Sequence, residues 1–377
     1  MASLVVGFDF HETKAYVGLW NETKNMPESF FVPGISENEQ DGGFAVNYPK
    51  EIMENDDVLT GFLNEILSSI RNSFAGAKIA KIGITYGDIS EDSAKKIKNA
   101  FLNLNFKEEE LFLSNHANAF LSAMLFNGQS ASPERTAVID IGKDTVNSYY
   151  YGPSDLRNGL PATIERIDLK NMNGMLFDAE SKSECLNAFS DTVYNVINFK
   201  KKITCLYVTG EMSEDDGFKN VLRHFASASL KIYVGQNLYS DGICSMAKFD
   251  KPQKDIVYDG EIFYDVTVTA YEDFELRDIK VIHAGMELND AKGEICLISD
   301  DTDELKIKIF DLRTGYILNV IVSTESVLNG ENKTNRLLVD LMFTDIRTLA
   351  IKVRNLGFGE INPSNYKVFE QTVVLKG

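Results

Sequence analysis

Two short apolar strands that each carry an aspartate at the end, Leu4–Phe10 with Asp9 and Ala137–Ile141 with Asp140, constrain this chain more than any other feature. Each is followed at once by a hairpin partner, Ala15–Trp20 and Asn147–Tyr151. In the first round, Val58, Leu59, Phe62, Leu63, Ile66, Leu67, Ile70 and Phe74 recur at three- and four-residue steps, which predicts an amphipathic helix. Lys81–Tyr86 reads as a strand. Ser90 then suits an N-cap, with Glu91 and Asp92 at the positive helix end, before a helix that buries Ala94, Ile97, Phe101 and Leu104. The second round repeats the pattern: a helix through Phe189, Val193 and Ile197, a strand Thr204–Val208, a helix Phe218–Phe225, a strand Ile232–Val234 and a last helix near Leu238–Ala247. Two such rounds predict an α/β fold that is duplicated, with a cleft between its halves.

After Asp250-Lys251-Pro252 the texture changes. Val266-Thr267-Val268-Thr269, Leu305-Lys306-Ile307-Lys308-Ile309 and Leu349-Ala350-Ile351-Lys352-Val353 alternate apolar and polar residues, the period of half-exposed strands. Acidic and glycine turns such as Ser299-Asp300-Asp301 and Asn329-Gly330 lie between them, and the segment has the size of an antiparallel β-sandwich. The expected domains are residues 1–134, 135–250 and 251–377.

Composition narrows the partners. The chain of 377 residues has a net charge of −18, which disfavours nucleic acid and anionic membranes. The short basic run Lys200-Lys201-Lys202 reads as a solvated helix end. Cys185, Cys205, Cys244 and Cys296 lack the spacing of a zinc clip and are too few for a disulfide framework, which fits a reducing compartment. No apolar stretch is long enough to span a bilayer, and the first residues do not read as a signal peptide. A cytoplasmic protein without nucleic-acid or membrane partners is expected.

Four segments, in order, resemble the signature elements of the superfamily of sugar kinases, 70-kDa heat-shock chaperones and actin. Gly7-Phe8-Asp9-Phe10-His11-Glu12-Thr13-Lys14 is similar to the first phosphate loop, and Val138-Ile139-Asp140-Ile141-Gly142-Lys143-Asp144-Thr145 to the second. Leu113-Ser114-Asn115-His116-Ala117-Asn118-Ala119-Phe120 resembles the connecting helix, and Leu206-Tyr207-Val208-Thr209-Gly210-Glu211-Met212 stands in place of the adenosine turn. The segment Asn335–Glu360 resembles a strand pair of the chaperones' peptide-binding β domain. The whole chain also resembles an uncharacterised bacterial family that joins an actin-like domain to a C-terminal β domain. The resemblance implies an actin-like (ribonuclease H-like) two-lobed fold followed by an antiparallel β-sandwich. It implies nucleotide contacts at Asp9, Thr13, Lys14, Asp140, Gly142, Lys143, Thr145 and Gly210, with Asp9 and Asp140 holding magnesium. Asp140 and Thr145 would be the catalytic residues of an active member.

The departures from that pattern matter as much. Phosphate loops use glycine because phosphate must approach the backbone. Here His11 replaces a glycine, Glu12 a hydroxyl residue, and Lys143-Asp144 two further glycines. His116 stands in place of an acid, and Thr209 and Glu211 replace a glycine and a serine. No residue is identified in place of the family's catalytic lysine, and Lys50 is the least poor match. The stretch from Thr145 to Thr209 is about half the chaperones' length, so an adenine-gripping subdomain is expected to be tiny or absent. As plain residues, Asp9 and Asp140 could be turn formers, and His116 reads as a packed or solvent-facing histidine more readily than as a ligand. His11, Glu12 and Asp144 could alternatively form a metal or acid–base cluster. The expectation is a chaperone-like interaction protein, non-enzymatic, with no cofactor or only weakly bound Mg–ATP, that binds a protein or extended peptide through its β domain. A slow Mg–ATP-dependent chaperone ATPase and an actin-like filament protein are the alternatives.

Overall fold

In a computed structural model the chain is described except for residues 1–2, 12, 37–43, 75–76, 88, 127–134, 143–144, 153–161, 170–175, 177–180, 200–202, 211–212, 214, 250–255, 301–302, 330–332 and 376–377. It divides into two compact units, Met1–Pro153 with Ile164–Lys254, and Ser154–Thr163 with Asp255–Gly377.

The first unit contains, in order, β1 (Ser3–Phe10), β2 (Lys14–Asn21), β3 (Met26–Ser29), β4 (Val46–Asn47), α1 (Asp56–Ser73), β5 (Lys78–Tyr86), α2 (Glu91–Asn103), β6 (Leu111–Asn115) and α3 (His116–Phe126). It continues with β7 (Thr136–Ile141), β8 (Val146–Gly152), β9 (Ala162–Arg166, in this unit from Ile164 onward), α4 (Lys182–Ile197), β10 (Cys205–Thr209), α5 (Asp216–Phe225), β11 (Lys231–Val234) and α6 (Leu238–Phe249). One sheet runs β3-β2-β1-β5-β6 and the other β9-β8-β7-β10-β11. In each, a hairpin pairs the first two strands antiparallel, and the two strands on the other side run parallel to the first. The same strand order with the same helix insertions occurs twice. That duplication is the actin-like, ribonuclease H-like fold.

Local chemistry sets the helices. The Asn55 side chain accepts from the N–H groups of Asp57 and Val58 to start α1, and Ser90 Oγ accepts from Ser93 N–H to start α2. α1 buries Leu59, Leu63, Ile66, Leu67 and Ile70 against Val6, Phe8 and Phe10 of β1. α2 stops one residue before Leu104, because Asn105 turns left-handed at φ 67°. Leu104 therefore caps the helix half-buried, outside the buried helical face expected of it.

Side chains alternate along a strand. With Val6, Phe8 and Phe10 directed to α1 and α2, the other face of β1 carries Gly7 and Asp9. That face receives α6. A Cβ on Gly7 would stand 2.3 Å from the Ser240 carbonyl oxygen, and one on Gly83 of β5 would stand 2.5 Å from that of Ile243. On α6 itself, a Cβ on Gly242 would meet the Ala119 carbonyl of α3 at 1.9 Å. Absent side chains thus let the last helix of the second round lie directly on the first sheet.

The second unit contains β12 (Ile256–Val257), β13 (Tyr264–Glu272), β14 (Glu275–Ile282), β15 (Lys292–Ile298), β16 (Glu304–Asp311), β17 (Tyr316–Ser323), β18 (Arg336–Asp345), β19 (Thr348–Asn355) and β20 (Val368–Val374). Two four-stranded sheets run β14-β13-β16-β17 and β15-β18-β19-β20, with every pair antiparallel. Leu305, Ile307 and Ile309 of β16 share one core with Leu349, Ile351 and Val353 of β19. The lysines between them face out, as the alternation requires.

Candidate functional site

The site forms where β1 and β7 end and α3 begins. Asp9 is the penultimate residue of β1, Asp140 that of β7, and His116 is the first residue of α3. All three are buried. His116 Nε2 lies 2.6 Å from Asp9 Oδ1, and its Nδ1 lies 3.1 Å from Asp140 Oδ2. One imidazole therefore joins the ends of two sheets. His11 adds its Nε2 at 3.1 Å from the other oxygen of Asp9. Tyr239 of α6 stacks on the His116 ring at 3.7 Å between centroids and 12° between planes. Gly87 adjoins the same ring, and a Cβ there would stand 2.1 Å from Nδ1.

Burial and charge oppose each other in this cluster. Burial pushes the Asp9 carboxyl up, but His11 and His116 hold it well below the usual carboxylate range. Burial would likewise strip the proton from His116, but Asp9 and Asp140 outweigh it and raise the imidazole to about 9. With the proton held on His116 in this way, its hydrogen bonds to Asp9 and Asp140 are charge-assisted. The Tyr239 hydroxyl is pushed well up, by burial first and then by Asp140.

The other residues singled out by sequence fall around this bridge. Thr13 is exposed in the hairpin, and its carbonyl accepts from Tyr48 N–H at 2.9 Å. Lys14 opens β2 half-buried, and its carbonyl accepts from His11 N–H at 2.8 Å. Gly142 N–H donates to the Thr145 carbonyl at 2.9 Å, which closes the second hairpin. Gly210, at φ 93°, packs so near Asp140 that a Cβ would be 2.6 Å from Oδ1. Lys50 is exposed in a short 3-10 helix. Lys143, Glu12, Asp144 and Glu211 lie outside the described residues, so the proposed grouping of His11 with Glu12 and Asp144 does too. His11 is instead seen with Asp9 and His116. Sequence reasoning missed Tyr239 and Gly87, since nothing local to those positions points at the His116 ring.

Two of the four side chains gathered here, His11 and His116, are imidazoles, not the oxygen donors that magnesium favours. Magnesium demands oxygen ligands in an octahedron and keeps several waters. Here both acids already hold the His116 ring, whose face is covered by Tyr239. His11 places a buried side chain beside Asp9, where the resemblance requires bare backbone.

The family model described as "Domain of unknown function (DUF8552)" matches residues 261–375. No curated protein matches. Among solved structures, a ROK hexokinase from Thermus thermophilus is 12% identical, covers 66% of this chain and 98% of its own, and has a TM-score of 0.40. The ethanolamine utilization protein EutJ from Carboxydothermus hydrogenoformans is 11% identical, with coverages of 65% and 90% and a TM-score of 0.40. A ROK family glucokinase from Streptomyces griseus, in complex with glucose and AMPPNP, is 10% identical, with coverages of 65% and 98% and a TM-score of 0.37. The fold assignment rests on the duplicated strand order itself. The model described as "Family of unknown function (DUF5716) C-terminal" matches residues 22–261, most of the actin-like unit, and the chain belongs to that family.

Proposed function

We propose that this chain is a nucleotide-independent, actin-like interaction protein that presents its C-terminal β-sandwich to an extended segment of a partner protein. The observation that carries the reading is the His116 bridge, which occupies both carboxylates that a phosphate-bound magnesium would need. The acidic net charge and the alternating strands of the sandwich support a protein partner. So does β17, which ends its sheet and exposes Tyr316, Ile317 and Ile321. An edge strand of this kind is a template for an added strand, and the chaperone-like segment Asn335–Glu360 suits the same use. The test is calorimetry of the full chain with Mg–ATP. Binding weaker than about 0.1 mM, or less favourable than about −5.5 kcal/mol, with no turnover above background, is expected. Micromolar affinity, or turnover lost in Asp140→Asn, would instead establish a chaperone-type ATPase.

A further inference from the structure

Hard, hydrated magnesium is a poor match for a site built on imidazole, but borderline transition metals are not. Asp9, His11 and His116 are all buried and each offers one ligand atom, and these atoms lie within 4.8 Å of one another. We propose that Asp9, His11 and His116 form a binding site for one divalent transition-metal ion of the zinc, cobalt or nickel type, with Asp140 as the residue that orients His116.

Three observations converge on it. The ligand set is two imidazoles and one carboxylate, a set that borderline metals accept and magnesium does not favour. The contacts to Asp9 are made by His116 Nε2 at 2.6 Å and by His11 Nε2 at 3.1 Å, so both nitrogens already face the same carboxylate. The far nitrogen of His116 lies 3.1 Å from Asp140 Oδ2. A metal-bound histidine typically donates its second N–H to a carboxylate, which fixes its tautomer and its plane.

Thr85 adds an independent feature of the same site. It pairs with Asp9 across the parallel β1–β5 register, so both side chains lie on one face of the sheet. Thr85 is fully buried and its hydroxyl has no hydrogen-bond partner. Such a hydroxyl calls for a neighbour, and a metal-bound water would supply one. As the ion binds, the proton on His116 Nε2 leaves to solvent and the nitrogen turns to the metal. With the ion in place Asp9 is its ligand and stays unavailable to a nucleotide's magnesium, so the assignment stands beside the nucleotide-independent reading and does not require it.

The test uses the untagged full chain, stripped with a chelator and titrated with Co²⁺ and, separately, Zn²⁺. One equivalent of Co²⁺ should bind with the visible ligand-field bands of a low-coordinate site, and Zn²⁺ should raise the thermal midpoint. His11→Ala should remove both signals while circular dichroism shows an intact fold. Asp140→Asn should weaken Co²⁺ binding about 10–100-fold. Absence of bands and of a midpoint shift in the folded wild-type chain overturns the proposal. So does binding that survives in His11→Ala, which would place the metal elsewhere, for example on His224 or His283. Should His116→Gln fail to fold, the wild-type and His11→Ala results still decide. ATP binding by the same preparation would overturn the nucleotide-independent reading and leave the metal result standing.

Discussion

Gly7 of β1 faces the carbonyl oxygen of Ser240 across a gap that a single Cβ would close to 2.3 Å. The contact is backbone to backbone, so no flexible side chain can yield. Gly7→Ala should therefore destabilise the chain by about 1–3 kcal/mol, the usual range for overpacking. Gly83→Ala should behave the same way, since its neighbour is the Ile243 carbonyl. Gly61 is the control. It lies inside α1 with nothing within 4 Å of its added Cβ, and Gly61→Ala should stabilise by about 0.5–1 kcal/mol. Urea midpoints of the three variants separate close packing from backbone entropy.

His116→Leu should cost about 3–5 kcal/mol, the range for removing one partner of a buried ion pair. Most of that loss is the charge left behind on Asp9 and Asp140. Asp140→Asn in the His116→Leu background should then recover part of the stability instead of adding to the loss. A double-mutant cycle read by denaturant unfolding checks this. Losses that simply add would show that the three residues do not act as one unit.

Asp241 predicts a dependence on pH. It lies in the first turn of α6, and its Oδ1 is buried with no hydrogen-bond partner. Burial, and secondarily the Glu28 carboxylate, push its carboxyl up to about 7 from 3.8. Between those values the folded chain holds a proton that the unfolded chain has lost. Its contribution to stability therefore falls as pH rises through that window and levels off above about 7. Asp241→Asn should raise the urea midpoint at pH 8 and leave it nearly unchanged at pH 4. Equal effects at both pH values would show that the carboxyl is not held protonated by the fold.

The edge of β17 gives a test of the partner reading. Ile321 is exposed on the outer face of that strand, opposite Lys306. Ile321→Lys should change stability by less than about 0.5 kcal/mol, as surface substitutions usually do. It should sharply reduce capture of extended apolar peptides on an immobilised array. Unchanged capture would move the partner surface away from this edge.

The duplicated α/β rounds and the sandwich were legible in sequence because each rests on a local signal. Periods of 3.6 and 2 place the buried faces of α1, β16 and β19, and Ser90 marks a helix start. Asp9 and Asp140 were also legible as facing acids, since each falls near the end of the first strand of its sheet. What occupies the space between them was not. α3 is apolar nearly all round, so its pattern says nothing about where His116 points. Tyr239 and Thr85 reach the site through pairings with residues far away in sequence, which no window registers. Gly7 carried no role in the sequence reading. It stands in a segment resembling a phosphate loop, but the room it leaves is filled by the Ser240 carbonyl.

The seat of α6 has a consequence for how the chain is made. The groove floored by Gly7 and Gly83 is finished once β5 has left the ribosome, but the helix that fills it ends at Phe249. At about 5–20 residues per second, the nascent first sheet must wait on the order of ten seconds or more for its cover. Over that interval one face of β1 and β5 stays open to solvent or to other strands. Any factor that shields this protein during synthesis would be needed in that window, and truncation before residue 238 should yield a chain that aggregates instead of a smaller stable domain.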